Sequence, residues 1–119
     1  MAIDRKELTI IQKMYDLILW FVPMIERLPR SHRYTLGARI ENGLYGILEE
    51  LIIVKYAKEK IDRLTLLNAK LDVLRYQTRL LVGLKMIEPK KLAFATELIN
   101  GVGVELGGWI KQQRRKQNI

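Results

Sequence analysis

A chain of 119 residues, 49% of them hydrophobic, has material for a single core and a single domain. It has no cysteine and one histidine, which excludes disulfides, thiolate metal sites, iron–sulfur clusters and thiol nucleophiles. A formal net charge of +8 favours association with nucleic acid, an anionic membrane or an acidic protein over a merely soluble basic chain.

The first residues, Met-Ala-Ile-Asp-Arg-Lys-Glu, are charged and lead into helical spacing rather than a small-residue cleavage site, so no signal peptide is expected. Leu8, Ile11, Tyr15, Ile18, Val22 and Ile25 form one apolar stripe, and Ile10, Met14, Leu17, Phe21, Met24 and Leu28 form a second beside it. That period predicts a helix over residues 8–28, bent at Pro23 and ended by Leu28-Pro29. Lys13, Asp16, Glu26 and Arg27 interrupt it, so no run of the ~18 to 20 apolar residues that span a bilayer is expected. Two stripes are more than a lone bundle buries. The polar strip Lys13, Asp16, Trp20, Pro23 and Arg27 also carries a tryptophan, so a homo-oligomer is expected, with Trp20 near a subunit contact. The ordinary alternative is a singly exposed aromatic.

The second segment repeats the period with Leu36, Ile40, Leu44, Ile47, Leu51 and Val54, which predicts a helix over 34–58. Glu59-Lys60-Ile61-Asp62 breaks it from a third, over 63–85, with Leu64, Leu67, Leu71, Leu74, Thr78 and Leu81 on one face and Asp62 as an N-cap. Pro89 suits the first turn of a fourth, over 89–113, where Leu92, Ala95, Ile99, Val102, Leu106 and Trp109 align; residues 114–119 read as a basic tail. Four similar helices with short connections imply an all-α, up-down-up-down antiparallel four-helix bundle. Gly37, Gly43 and Gly46, and Gly101, Gly103, Gly107 and Gly108, each cost up to about 1 kcal/mol inside a helix. Either tight packing of the second and fourth helices, within the bundle or against another subunit, or local fraying or bending accounts for them.

No catalysis is expected. A di-iron bundle needs Glu-x-x-His on two helices, and His32 is the only histidine. Nucleophilic triads fail for the same shortage, no phosphate-binding Gly-rich loop occurs, and Glu49, Glu50, Asp72, Glu97 and Glu105 lack paired ligand spacing. No metal or cofactor is expected, and the compartment with the fewest requirements is the cytoplasm.

Charge is unevenly placed: residues 1–29 carry four bases and four acids, and residues 30–119 carry 17 bases and nine acids. Between Leu28 and Ile40, Arg30, His32, Arg33 and Arg39 stand without an acid. Antiparallel topology brings them to the same end as Lys85, Lys90 and Lys91, and gathers Lys55, Lys58, Lys60 and Arg63 with Lys111, Arg114, Arg115 and Lys116 at the other. Several of these complement a helix C-terminus. Arg30 and Arg33 precede a helix, oppose its dipole and so point to an anionic ligand such as phosphate. Arg75 and Arg79 add a pair one turn apart, with Asp72 spaced to form an ion pair with Arg75. Tyr34, Tyr76 and Trp109 neighbour bases and suit stacking on unpaired nucleotides, although aromatics at helical spacing are more often core. An acidic protein docking on these ends is the second class of partner. Membrane binding fits poorly, because little beyond Ile110 is apolar.

Leu28-Pro29-Arg30-Ser31-His32-Arg33-Tyr34-Thr35-Leu36-Gly37-Ala38-Arg39-Ile40, Leu74-Arg75, Arg79-Leu80-Leu81-Val82-Gly83 and Val104-Glu105-Leu106-Gly107-Gly108-Trp109-Ile110 together resemble a known family. It is the four-helix-bundle family of accessory variability determinant proteins of diversity-generating retroelements, with relatives encoded in intervening sequences of large-subunit ribosomal RNA genes. The likeness covers residues 8–113. It implies a homopentameric barrel of basic bundles, without catalytic residues, that binds RNA and DNA and associates with the retroelement's reverse transcriptase during mutagenic cDNA synthesis. Arg30, Arg39, Arg75 and Arg79 are the positions it marks as contacts to RNA or polymerase. An intervening-sequence bundle of uncharted role has the same features.

Overall fold

The computed structural model describes residues 5–118. Its long helices are α1 (Arg5–Glu26), α3 (Ala38–Tyr56), α4 (Ile61–Gly83) and α5 (Pro89–Gln117), with a single turn α2 (Arg30–His32) and a π-helical segment (Arg33–Gly37) leading into α3. The helices pack as a rod of 51 × 21 × 20 Å. Lys13 reaches Glu105, Trp20 packs on Phe94, and Arg27 faces Lys91, so α5 descends as α1 rises. Gly46 and Lys70 share a groove with Arg39 and Gln77, which makes α3 and α4 antiparallel as well. The fold is therefore the up-down-up-down bundle that the helical period implies.

Its core comes from one stripe per helix. Ile10, Met14, Leu17 and Phe21 meet Ile40, Leu44, Leu51 and Val54, Leu64, Leu67 and Leu71, and Ile99, Val102 and Trp109, all essentially inaccessible. Each such side chain contributes about 1.5 to 3 kcal/mol of burial. Thr78 is the buried polar residue among them, and its hydroxyl donates to the Leu74 carbonyl at 2.7 Å.

Helix ends differ from the expected ones for local reasons. α1 stops at Glu26, because the residue before Pro29 is excluded from helical backbone; the Arg27 and Leu28 amides turn back to the Met24 and Ile25 carbonyls at 3.1 and 3.0 Å. The second helical run starts at Arg30, four residues before 34. Extended Pro29 acts as its cap, and its carbonyl accepts from His32 and Arg33, both at 3.0 Å. His32 thus lies in a helical turn rather than a loop, and Arg30 and Arg33 belong to the helical run rather than precede it. The π segment ends on Gly37, where a Cβ would meet Ile25 Cγ2 at 3.1 Å and Leu28 Cδ1 at 3.3 Å. This is the close approach of α1 that a glycine permits.

α3 ends at Tyr56 instead of 58, since Lys60 Nζ donates to the Val54 and Lys55 carbonyls at 2.7 and 2.8 Å. Lys60 also precedes α4, so Asp62 sits in the first turn, where its charge suits the dipole, and is not the cap. α4 stops at Gly83 instead of 85: Met86 N–H bonds to the Leu81 carbonyl at 2.8 Å and Lys85 N–H to Val82 at 2.9 Å, a Schellman turn. Lys85 holds its left-handed position at φ 61°, which glycine usually takes. α5 begins at Pro89, as expected, and runs to Gln117 rather than 113, so residues 114–117 of the expected tail are helical. Gln, Lys and Arg are good helix formers, and three bases complement its C-terminus.

Close packing of the second and fourth long helices explains few of the glycines. Within the chain a Cβ at Gly43, Gly46 or Gly107 would meet nothing within 4 Å, whereas one at Gly103 would lie 3.0 Å from Arg75 Nη2. The first helix also departs from expectation in composition. Glu7–Glu26, at mean hydropathy 1.4, is long and apolar enough to cross a membrane by those criteria, because only Lys13 and Asp16 charge its interior. A third of its most apolar window is buried in the bundle (33%), and Leu8, Tyr15 and Leu19 on its remaining face are exposed.

Candidate nucleic-acid interface

At the end formed by the first and third connections, Pro29 starts a helical run and thereby sets Arg30 and Arg33 one turn apart. Arg30 and Arg39 are exposed, and His32 and Arg33 are half-buried. The Arg33 guanidinium lies 5.4 Å from the Tyr34 ring centroid, and Tyr34 itself is exposed. Across the bundle the Schellman turn lifts Lys85 into solvent, and the first turn of α5 presents Lys90 and Lys91. Lys91 shares a groove with Arg27, Trp20 and Pro23, while Glu88 and Lys90 line the next one with Trp20 and Phe94. Arg27 belongs in sequence to the charge-neutral first segment, and its three-residue spacing from Arg30 is the signal that joins it to this cluster.

α4 carries the two internal arginines into different roles. Arg75 is 29% exposed, donates through Nε to Asn100 Oδ1 at 3.1 Å, and approaches Asp72 Oδ1 at 3.5 Å. The structure thus places it on the ion pair that its spacing allows, and the missing Cβ of Gly103 gives the guanidinium room. Arg79 stands 5.2 Å over the Tyr76 ring and takes part in no ion pair among the described residues. Arg39 opens elsewhere, on a groove between α3 and α4 shared with Lys70, Gly43, Gly46 and Val73. Lys70 went unnoticed in the sequence because it stands alone between apolar positions.

The opposite end is less free. Lys60 caps α3, Arg63 binds Glu50 at 2.9 Å, and Lys55 lies 5.4 Å from the Tyr56 ring. Lys111, Arg114, Arg115 and Lys116 are exposed on the last turns of α5. Ion pairs among the described residues are Lys13–Glu105, Arg63–Glu50 and Arg75–Asp72. Of the bases gathered at the two ends and on α4, Arg63 and Arg75 are so engaged. Trp109 is core, with its Nε1 buried and unpartnered, and offers no face for stacking.

Apolar side chains are uncovered on every long helix. Leu8 and Tyr15 of α1 and Tyr45, Ile52 and Tyr56 of α3 are each 39% exposed or more, Leu66, Val73 and Leu80 of α4 and Val104 of α5 are exposed as well, and Leu19 lines the groove with Trp20 and Lys91. Tyr45 donates to Glu41 Oε1 at 3.0 Å, and that bond, with the nearby Glu41 and Glu26 charges, holds its phenol above the usual range. Trp20 sits on the α5 side of α1, edge-on to Phe21 and tilted against Phe94, both at 5.2 Å. Among the described residues no three His, Asp or Glu side chains converge as metal ligands.

The model of the family described as bAvd-like matches residues 8–113. No curated protein matches the chain.

Proposed function

The chain belongs to the bAvd-like family, and from that premise we propose that it is a non-catalytic, cytoplasmic accessory subunit of a diversity-generating retroelement. It binds RNA or DNA through its basic ends and joins the reverse transcriptase during mutagenic cDNA synthesis. The observation that carries this reading is the set of exposed cations at one end of the rod, Arg27, Arg30, Arg39, Lys85, Lys90 and Lys91, none in an ion pair among the described residues. Unpaired bases on a rigid end supply phosphate contacts without the cost of breaking internal pairs. His32, Arg33, Arg79 and the α5 bases Lys111, Arg114, Arg115 and Lys116 extend that surface. Arg75, held by Asn100 and Asp72, positions its neighbours more than it adds charge.

The active form is a homo-oligomer, a pentameric ring. A closed ring joins two different surfaces of each copy. α1 offers both: its apolar flank beside α3, and the Trp20–Phe94 seam beside α5. Affinity capture of the tagged chain from cells that express the retroelement tests the proposal. Reverse transcriptase and template RNA are expected to copurify and to be lost together on Arg30→Glu with Arg33→Glu. Capture of neither by the wild-type chain overturns it.

A further inference from the structure

We propose that the groove around Tyr76, between α4 and α5, takes an unpaired nucleotide, so that the protein prefers single strands to duplexes; the inference rests on the nucleic-acid reading above and narrows it. Tyr76 is 60% exposed although it stands mid-helix, where an aromatic ordinarily faces the core. Arg79 lies over its ring at 5.2 Å. The same two side chains line both a cavity of about 190 Å³ between α4 and α5, walled by Asp72, Arg75 and Thr96, and a wider one of about 390 Å³ on α4 itself, with Leu80 and Gly83. A Cβ at Gly83 would have no neighbour within 4 Å, so that end of the groove stays open.

The parts match what an unpaired nucleotide presents. A base exposes an aromatic face that a tyrosine ring can stack on, and its phosphate is an anion that an arginine without a carboxylate partner can bind. Asp72 is the acid in the groove, and its charge is taken up by Arg75, which leaves Arg79 for the ligand. Arg75 is fixed by Asn100, so the wall beside Tyr76 is formed before binding. In a duplex the base faces are buried in the stack, and only the phosphate contact survives. Stacking therefore adds to single-strand binding alone.

Fluorescence anisotropy at one salt concentration, with a labelled oligouridylate and a blunt RNA duplex of equal length, tests this. Tyr76→Ala is expected to weaken single-strand binding about fivefold or more and to leave duplex binding unchanged, and Tyr76→Phe to keep wild-type affinity for both. The exposed position makes unfolding by either substitution unexpected, and circular dichroism of each variant checks it. If Tyr76→Ala binds the oligouridylate as the wild type does, or weakens both ligands alike, the inference fails while the broader reading stands. If the wild-type chain binds neither, both fail.

Discussion

Tyr45 and Tyr76 are both exposed tyrosines on the faces of long helices, and their surroundings are opposite. On the α1/α3 flank, where Tyr15 and Ile52 are also exposed, the Tyr45 hydroxyl is tied to Glu41, with Glu26 near. On the α4/α5 flank the Tyr76 ring lies under Arg79. An apolar surface bordered by carboxylates repels phosphate and suits a protein neighbour; an aromatic bordered by arginine attracts it. Exposed hydrophobic area thus marks an interface, and the charge beside it selects the occupant.

The largest effect is expected where that assignment is broken on the apolar flank. Tyr15→Glu with Ile52→Glu places two charges on it without touching the core. Each unpaired charge buried in an interface costs about 3 to 5 kcal/mol, so light scattering should show the oligomer reduced to single chains with helicity retained. On the other flank, Arg79→Ala should weaken RNA binding severalfold and make the slope of log affinity against log salt shallower by about one. The same change should leave the oligomer intact.

Smaller perturbations leave both flanks in place and probe the scaffold they share. Lys85→Gly relieves the left-handed backbone at φ 61° and should raise stability by about 1 kcal/mol in chemical denaturation. Gly46→Ala should add about 0.5 to 1 kcal/mol, since its Cβ has no neighbour within the chain, whereas Gly103→Ala gains less or nothing because Arg75 must yield. Lys13→Ala removes a partly exposed ion pair with Glu105 and should cost no more than about 1 kcal/mol.

Four helices and their buried faces were legible in the sequence because the apolar period is unbroken and one stripe per helix suffices for a core. Where two readings competed, the period could not choose. The two stripes of α1 are more than a lone bundle buries, and the period does not say which is core: the fold buries the one from Ile10 to Leu28, with Ile25 of the other, and leaves Leu8 and Tyr15 out. Nothing in Arg-Tyr-Thr-Leu-Gly announces a π segment; it follows from Pro29 starting the run early and Gly37 letting α1 approach. The turn at Lys85 was hidden because a glycine two residues earlier looked like the helix interior and a lysine rarely takes a positive φ. The spacing of Asp72 already separates Arg75 from Arg79; what the sequence does not show is Asn100, from another helix, which braces Arg75 further. Charge clusters near connections were readable from topology, but which bases cap helices, as Lys60 does, depends on how the chain closes.

Equilibrium binding of RNA to the wild-type chain over a range of salt concentrations tests the central claim most directly. With about five phosphates contacted per subunit, log affinity should fall against log salt with a slope of about −3.5 to −4.5. A slope near zero, or no retention of RNA even at the lowest salt, would contradict the account.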